Sequence, residues 1–274
     1  DPAVVLEPVV QVYAARTFGW RGAFGVHTWI VVKREGATAF TRYDVVFWGG
    51  PPHVRRNFAA PDAEWFGSRP DLLVDLHWEA ANGFDLTEDI EVTIAAGAAL
   101  LLLGLPDGSF AKVRTVLVHP TTVVLTGEHS QVAGIVSDGP MPILGQADPH
   151  GPVLIVWDEV LGEARHPGSG HNVVAHEFAH RLDMLDGDAD GVPPMADAEL
   201  AERWVRVCTE VYEAVVEGRG GRVLRSYAGV NPAEFFAVST EAFVDAPVAL
   251  RTEQPELYSV LCDYFGQDPA ARWR

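Results

Sequence analysis

The chain has 274 residues, 48% of them hydrophobic, and a formal net charge of −18 at pH 7. This length and hydrophobic content are enough for a large buried core, in one domain or in two smaller ones. The negative charge argues against direct binding of nucleic acid, because a duplex would repel the protein and no basic patch stands out. Cys208 and Cys262 are too few for a disulfide scaffold, so we expect the protein in the reducing cytoplasm.

The first 77 residues are rich in β-type sequence. Runs of β-branched and aromatic residues alternate with Gly and Pro clusters, which predicts antiparallel hairpins. The predicted strands are residues 9–14, 25–33, 39–47 and 72–76. We therefore divide the chain into a β-rich N-terminal segment, residues 1–77, and a second domain, residues 78–274. The sequence leaves open whether the first segment is a whole domain and whether a leader preceded Asp1.

One stretch of this segment resembles a known family. Residues 21–30, together with Trp65-Phe66-Gly67, resemble the front part of an uncharacterised bacterial domain family related to permuted papain-like hydrolases. In such enzymes a histidine on a strand activates a cysteine that follows later in the chain. No cysteine precedes Cys208. We therefore interpret His27 as structural and keep a thiol hydrolase as a disfavoured alternative.

The longest apolar run spans residues 92–105. It is shorter than the roughly 20 residues that cross a bilayer, and it contains Gly97 and Gly104. It predicts a buried helix, and we expect no membrane partner.

The most informative stretch is His176-Glu177-Phe178-Ala179-His180. Positions i and i+4 of a helix project from one face, so both imidazoles can reach the same zinc ion. Glu177 would lie beside that ion as the general base that takes a proton from the activated water. The pattern predicts metal-assisted peptide hydrolysis without a covalent intermediate.

The setting of this motif is helical. The two histidines fall on one side of a helical wheel, and the opposite side is apolar, with Val174, Phe178, Leu182 and Leu185. Asn172 is the predicted N-cap. We expect one face to pack on a core and the other to face a cleft. The alternative is an amphipathic helix whose histidines are only surface groups.

A catalytic zinc ion usually has three protein ligands and one open position, so the two histidines need a third ligand. Asp183 lies seven residues after His176, which is about 10 Å along a helix axis and too far for a shared ion. We interpret Asp183 as a group that accepts the second ring N–H of a ligating histidine. A plain surface acid is the alternative.

The stretch Asp186-Gly187-Asp188-Ala189-Asp190-Gly191 has the opening pattern of a calcium loop, with Asp197 at the twelfth position. Two features argue against calcium: Pro193 and Pro194 remove backbone donors, and aspartate replaces the bidentate glutamate at the end. We favour an acidic turn that leaves the metal helix.

Glu234 is the stronger candidate for the third ligand, although the spacing alone does not decide. Asn231 as N-cap and Pro232 at the next position begin a helix in which Glu234 could merely close a capping box. Glu241 and Asp245 share its helix face, which is also typical of a solvated acidic stripe.

A resemblance decides between these alternatives. It is carried by Phe84-Asp85-Leu86, Ile94-Ala95-Ala96, residues 172–194 and Asn231-Pro232-Ala233-Glu234, and it extends from about Trp78 to Pro269. Over this range the chain resembles the Mlc titration factor A family of bacterial zinc peptidases. In that family the two motif histidines and the glutamate of the N-P-A-E segment hold the zinc. The resemblance therefore implies His176, His180 and Glu234 as zinc ligands, with Glu177 as the catalytic glutamate.

The active site of this family is similar to that of the catalytic domain of anthrax lethal factor. There a tyrosine seven residues before the third ligand contributes to the metal site and to catalysis, and Tyr227 stands at this offset. The resemblance implies that its phenol donates a hydrogen bond to the oxyanion of the attacked carbonyl. A tyrosine packed only for structure is the alternative. Glu241 is a further candidate, as a residue that supports a metal ligand from behind.

For residues 78–274 we expect an α+β, zincin-like fold after the β-rich segment, with the metal helix under a small sheet. Residues 152–157 form the predicted edge strand, along which an extended peptide could pair. Further helices are predicted within residues 195–218 and over residues 255–265.

The favoured function is a zinc-dependent metallopeptidase with one zinc ion per chain, and an aminopeptidase as the family resemblance implies. Its partner would be a peptide or protein substrate. The alternative function is a regulatory binding protein that sequesters a glucose-responsive transcriptional repressor, with catalysis secondary or absent.

Overall fold

The computed structural model describes residues 8–17, 26–34, 36–46, 53–106, 109–110, 113–121, 123–125, 129–131, 135–137, 141–143, 145–147 and 151–272, with backbone alone between residues 123 and 147. The chain divides into two compact units, Asp1–Leu117 and Val118–Arg274. The domain boundary at residue 77 stays a prediction. Among the described helices, none combines the length and the hydropathy of a transmembrane span.

The first unit is built on a sheet of mostly sequential strands. These are β1 (Val9–Arg16), β2 (Val26–Lys33), β3 (Thr41–Val45), β4 (Val54–Arg56), β5 (Asp71–Ala80) and β6 (Thr115–His119), the last of which crosses the division. Their order is β6-β5-β1-β2-β3-β4. The pairs β1–β2, β2–β3, β3–β4 and β1–β5 are antiparallel, which confirms the predicted hairpins. The short β4 was missed, because three residues are too few for an alternating pattern.

One helix, α1 (Glu88–Leu102), packs against β1 and β5 of this sheet. Its buried face includes Ile90, Ile94 and Ala98, which recur every four residues. The predicted buried helix is confirmed, but it begins before residue 92. Acidic residues occupy its first turn, where they interact favourably with the positive end of the helix dipole.

Polar side chains of β2 and β3 form a buried network in the first unit. Arg42 Nε and Nη2 each donate to the Asp44 carboxylate at 2.8 Å, and the guanidinium stacks on the Trp29 ring at 3.9 Å. His27 Nε2 lies 2.9 Å from Asp44 Oδ1, and its ring stacks on Trp65 at 3.6 Å. The sequence of this unit contains no cysteine, so it offers His27 no thiol to activate.

The second unit contains six described strands or parts of strands in pairs. They are β7 (Val123–Leu125), β8 (His129–Gln131), β9 (Ile135–Ser137), β10 (Met141–Ile143), β11 (Gly145–Ala147) and β12 (Val153–Val156). The antiparallel pairs are β7–β10, β8–β9 and β11–β12. In the sheet order β11 is outermost and β12 lies inside it. The prediction that residues 152–157 form an edge strand was therefore wrong: the Gly-Gln-Ala sequence of β11 lacks a strand pattern and gave no sign of a further strand.

Helices make up the rest of the second unit. They are α2 (Trp157–Ala164), α3 (Val173–Asp183), α4 (Ala198–Val216), α5 (Pro232–Asp245), α6 (Pro247–Glu253), α7 (Pro255–Phe265) and α8 (Pro269–Arg272), with a 3-10 turn at Ser226–Gly229. The predicted helices in residues 195–218 and 255–265 are confirmed as α4 and α7. Helix α3 packs against α5, β11 and β12, and α4 packs against α7. The predicted α+β class is confirmed.

Candidate metal centre

Helix α3 carries the two histidines and is buried along its whole length. It begins after the N-cap Asn172, whose side chain accepts the N–H of Ala175 at 2.8 Å. All eleven residues from Val173 to Asp183 are buried. The predicted N-cap and the apolar side are confirmed. The carboxylates of Glu234 and Glu241 on α5 lie against its histidine side, and the expectation that this side faces a cleft stays a prediction.

Helix α5 brings a carboxylate to the histidines from its first turn. Asn231 caps this helix by accepting the N–H of Glu234 at 2.9 Å, and Pro232 is its first residue. The Glu234 side chain turns toward α3: Oε2 lies 3.1 Å from His176 Nε2 and 3.6 Å from His180 Nε2. Glu234 thus contributes its backbone N–H to the cap and its carboxylate to the histidine pair, and the solvated-stripe alternative does not describe this helix face.

The three side chains converge on one point. One ligand atom from each of His176, His180 and Glu234 lies within 4.8 Å of the others, and the two Nε2 atoms are 3.2 Å apart. Within the described part of the chain this is the only such group of three or more His, Cys, Asp or Glu side chains. The acidic loop after α3 forms no comparable group, and Asp197 instead caps α4 by accepting the N–H of Glu199 at 2.9 Å.

This donor set fits a zinc ion. Glu234 Oε2 is buried and lies within ion-pair distance of both histidines, without a well-aligned hydrogen bond to either. Two imidazole nitrogens and a carboxylate oxygen are ligands that zinc takes in tetrahedral sites, and three protein ligands leave a fourth position open. The nearby carboxylates of Glu234 and Glu241 outweigh burial and raise the pKa of His176 to about 10. A cation bound at Nε2 would displace that proton, because a ligating imidazole is neutral.

Glu241 supports His176 from behind. Its Oε1 accepts from His176 Nδ1 at 2.6 Å, and the residue is 1% exposed. Burial alone would raise the pKa of Glu241, but His176 and Arg225 hold it below the ordinary value. A carboxylate on the second ring nitrogen fixes the tautomer and the ring orientation of a metal-binding histidine. This contact agrees with the candidate role of Glu241, which stays a prediction.

Three further side chains make contacts around the N-terminal end of α3, and sequence reasoning assigned none of them to the site. The Glu163 carboxylate of α2 accepts the N–H of Val173 at 2.9 and 3.0 Å, and burial raises the pKa of Glu163 to about 7. Asp245 Oδ2 accepts the N–H of Gly170 at 2.8 Å. Arg225 pairs with Glu241. Only Asp245 gave a signal in the sequence, through its shared helix face with Glu234 and Glu241.

Glu177 and Tyr227 lie beside the histidines. Glu177 is 4% exposed; burial raises the pKa of its carboxyl group, and the two histidines partly offset this. The Tyr227 ring lies 6.2 Å from the His176 ring between centroids, in the 3-10 turn before α5. Burial and the nearby charges of Glu234 and Glu177 raise the pKa of Tyr227, so its hydroxyl stays protonated at neutral pH.

Asp183 lies at the end of α3 and is fully buried. Its Oδ2 accepts the N–H of Gly191 at 3.0 Å, whereas its Oδ1 has no hydrogen bond to another described group. The Nδ1 atom of His180 likewise has no hydrogen-bond partner in the described part of the chain. Burial raises the pKa of Asp183 to about 7. The prediction that Asp183 accepts the ring N–H of a ligating histidine was therefore wrong: it makes no direct hydrogen bond to either one, and its Oδ2 bonds the loop after α3 instead.

The loop after α3 packs against the first residue of α5. Gly191 has φ +77°, and a Cβ atom added there would lie 2.4 Å from the carbonyl oxygen of Pro232. The carbonyl of Gly191 accepts from Trp204 Nε1 on α4 at 2.9 Å. Only glycine permits this close approach of two backbones. The end of α3 is thereby held against the turn of α5 that presents Glu234.

Comparison with known proteins gives the class and then the family. The family described as "Glucose-regulated metallo-peptidase M90" matches residues 61–266, and a second family, described as "Protein of unknown function (DUF3750)", matches residues 7–97. The chain is thus a metallopeptidase by class, and it belongs to the M90 family. This confirms the resemblance predicted for residues 78–269.

Several relatives show the same similarity. Mlc titration factor A of Edwardsiella ictaluri is 35% identical over 193 residues, which cover 68% of this chain and 73% of the relative. Mlc titration factor A of Pectobacterium atrosepticum is 33% identical over 192 residues, covering 68% and 72%. An uncharacterized protein of Synechocystis sp. is 32% identical over 192 residues, covering 69% and 70%.

Proposed function

We propose that this metallopeptidase uses zinc, held by His176, His180 and Glu234, to hydrolyse peptide bonds. The observation that carries the proposal is the convergence of these three donor atoms within 4.8 Å of one another. A zinc ion there would supply Lewis acidity, which polarises a carbonyl group and activates water.

We assign the general base to Glu177. It follows His176 directly on α3, and its charge influences the pKa of both His176 and Tyr227, so it lies within electrostatic range of the donor atoms. Burial raises its pKa above the ordinary value for glutamate. A carboxylate with a raised pKa is a better proton acceptor near neutral pH. Glu177 would take the proton from water and later deliver it to the leaving amine.

We assign the stabilisation of the oxyanion to Tyr227. Its ring stands beside His176, it is 46% exposed, and its raised pKa keeps the hydroxyl able to donate a hydrogen bond. One donor aimed at a developing oxyanion contributes about 3 kcal/mol to transition-state stability. Glu241 would act behind the ligands, directly on His176 Nδ1.

We also propose aminopeptidase specificity and a cytoplasmic location. The resemblance to the titration-factor family supports the first. The two free thiols of Cys208 and Cys262 support the second, because a reducing compartment keeps thiols free.

A second candidate function is binding of a transcriptional repressor. It is supported by the name of the relatives from Edwardsiella and Pectobacterium, "Mlc titration factor A". Such binding need not use zinc. A metal-free variant that still binds a repressor, and a repressor that leaves peptide hydrolysis unchanged, would separate the two functions.

The test of the peptidase is metal content and peptide hydrolysis in the wild type, Glu177→Gln and Glu234→Gln. We expect about one zinc per wild-type chain, the stoichiometry of a three-ligand site. Glu177→Gln should keep its zinc and lose activity by a factor of about 10² to 10⁴, the usual contribution of a general base. Glu234→Gln should lose most of its zinc.

The control is Glu253→Gln, which changes a glutamate of the same unit that accepts backbone N–H groups of Arg222 and Val223 away from the histidines. It should keep both zinc and activity. Full zinc occupancy in Glu234→Gln would show that Glu234 is only a helix-capping residue. Undiminished hydrolysis by Glu177→Gln would remove Glu177 from the mechanism.

A further inference from the structure

Arg225 holds the carboxylate behind the metal helix with both arms of its guanidinium. Its Nη1 donates to Glu241 Oε2 at 2.9 Å, and its Nη2 donates to Glu241 Oε1 at 2.5 Å. His171 Nδ1 lies 3.4 Å from the same Nη1. Two parallel hydrogen bonds of this kind fix the plane of a carboxylate as well as its position.

The Glu241 carboxylate is shared between Arg225 and the metal helix. Each oxygen accepts once from Arg225 and once from α3 or its cap: Oε1 from His176 Nδ1 at 2.6 Å, and Oε2 from the N–H of Asn172 at 2.9 Å. Glu241 is 1% exposed, so water has little access to replace a lost donor. The orientation of the Glu241 carboxylate toward His176 therefore depends on its two hydrogen bonds from Arg225.

The same guanidinium reaches Tyr227. The Arg225 Cζ atom lies 5.8 Å from the centroid of the Tyr227 ring, and Arg225 is the N-cap of the 3-10 turn that carries this tyrosine. A guanidinium at this distance from an aromatic ring is attracted to its face. One side chain thus connects the turn of Tyr227 to α5 and, through Glu241, to α3.

We propose that Arg225 is a positioning residue of the metal centre: it orients His176 through Glu241 and holds the turn that presents Tyr227. This inference rests on the proposed function, because it assigns a role toward the ion held by His176, His180 and Glu234. Arg225 itself bonds Glu241 and lies near His171 and Tyr227, and it forms no hydrogen bond or ion pair with His176, His180 or Glu234.

The geometry distinguishes positioning from a simple charge effect. Lysine would keep the positive charge but offers a point charge without the planar fork, so it cannot bond both oxygens in the same plane. Methionine keeps much of the length and removes both the charge and the fork. Arg225→Lys should therefore lie between the wild type and Arg225→Met if orientation matters, and should equal the wild type if only charge matters.

The experiment measures zinc affinity by competition with a chelator, using the apoprotein of the whole 274-residue chain reloaded with zinc alone. We expect Arg225→Met to bind zinc about 10-fold more weakly, the lower end of the loss seen when an outer partner of a ligand is removed. Arg225→Lys should show part of this loss. The control is Arg219→Met, which breaks an exposed ion pair with Glu217 in the same unit and should bind zinc as the wild type does.

A double variant tests the route through Glu241. Glu241→Gln should weaken zinc by about 10- to 100-fold, and adding Arg225→Met should cause little further loss, because the two side chains act in one chain of contacts. If the double variant instead lost zinc affinity by the product of the two single fold-losses, Arg225 would not act through Glu241. Zinc binding by Arg225→Met within twofold of the wild type would also overturn this route.

Steady-state kinetics test the contact between Arg225 and Tyr227 separately. At saturating zinc, Arg225→Met should lower kcat with little change in KM, as Tyr227→Phe should, because the oxyanion forms only in the transition state. An unchanged kcat would overturn this half of the proposal. If wild-type protein bound zinc but hydrolysed no peptide, the proposed function would fail, whereas the affinity measurements would still test the positioning of His176.

Discussion

Each unit of the molecule buries a cluster of charged side chains, and the two clusters differ in how their polar atoms are paired. In the first unit, Arg42 donates to both oxygens of Asp44 and to the carbonyl of Ala60, and His27 approaches the same carboxylate. In the second unit, buried atoms of the metal-site region have no hydrogen-bond partner within the described residues: His180 Nδ1, Asp183 Oδ1 and Glu234 Oε2.

We interpret the first cluster as structural and the second as part of the site that we propose for the metal ion. Leaving a buried polar group without a partner costs about 1–3 kcal/mol, and a bound cation would give Glu234 Oε2 such a partner. The Arg42–Asp44 pair is complete within the chain and needs nothing further. Burial and charge are similar in the two clusters, and the pairing of the polar atoms is what tells them apart.

The largest effect is expected from breaking the complete cluster. Asp44→Ala would leave the guanidinium of Arg42, which is 0% exposed, without its counter-charge, at a cost of about 3–5 kcal/mol. Urea unfolding followed by tryptophan fluorescence would measure it, because Trp29 and Trp65 lie in this cluster. Asp75→Ala, which removes an exposed acceptor of Gln11, is the control. A loss in Asp44→Ala no larger than in this control would erase the contrast between the two units.

The next effect tests the backbone contact that positions Glu234. Gly191→Ala combines a left-handed φ of +77° with a Cβ atom 2.4 Å from the Pro232 carbonyl, and we expect a loss of about 3 kcal/mol. Gly218→Ala is the matched control, since its φ is +76° but a Cβ atom there meets nothing within 4 Å. Unfolding and zinc titration of both variants should show weaker zinc binding only in Gly191→Ala. Equal losses in both would mean that the contact does not position the ligand.

The smallest effect concerns a buried carboxyl group of the first unit and depends on pH. Burial, and then the charge of Glu88, raise the pKa of Glu91 to about 7 from 4.5. Because the folded state binds the proton more tightly, this group's contribution to stability is complete below pH 4.5 and is lost as the pH rises through 7. Glu91→Gln should therefore exceed the wild type in stability at pH 8 by roughly 1–2 kcal/mol.

The matched control for this prediction is Glu79→Gln, which changes an exposed glutamate on β5. Its stability relative to the wild type should stay constant between pH 5 and pH 8. A difference between Glu91→Gln and the wild type that also stays constant over this range would show that Glu91 is ionised in the folded protein at little cost. The first unit would then tolerate a lone buried charge, and the contrast with the metal centre would weaken.

Local patterns were sufficient for the elements that carry the site. The i, i+4 histidines, the cap at Asn172 and the Asn231-Pro232 start of α5 are short-range features, and each lies where the sequence predicted it. The same holds for α4, α7 and the hairpins of the first unit, because helix and strand periodicities are set by neighbouring residues. The short strands β4 and β11 were not predicted, because three residues are too few to show a strand periodicity.

The tertiary structure alone decided which side chains meet. No pattern in the sequence could show that Glu163, Arg225 and Asp245 hold the start of α3 and the residues around it, because these contacts join residues 10 to 75 positions apart. For the same reason, spacing alone could not decide whether Glu234 caps a helix or faces the histidines, and only the family resemblance favoured the second role. The sequence by itself determined the chemistry available on each helix. The packing of α3 against α5 decided how those groups converge, because convergence depends on distances between segments that periodicity does not encode.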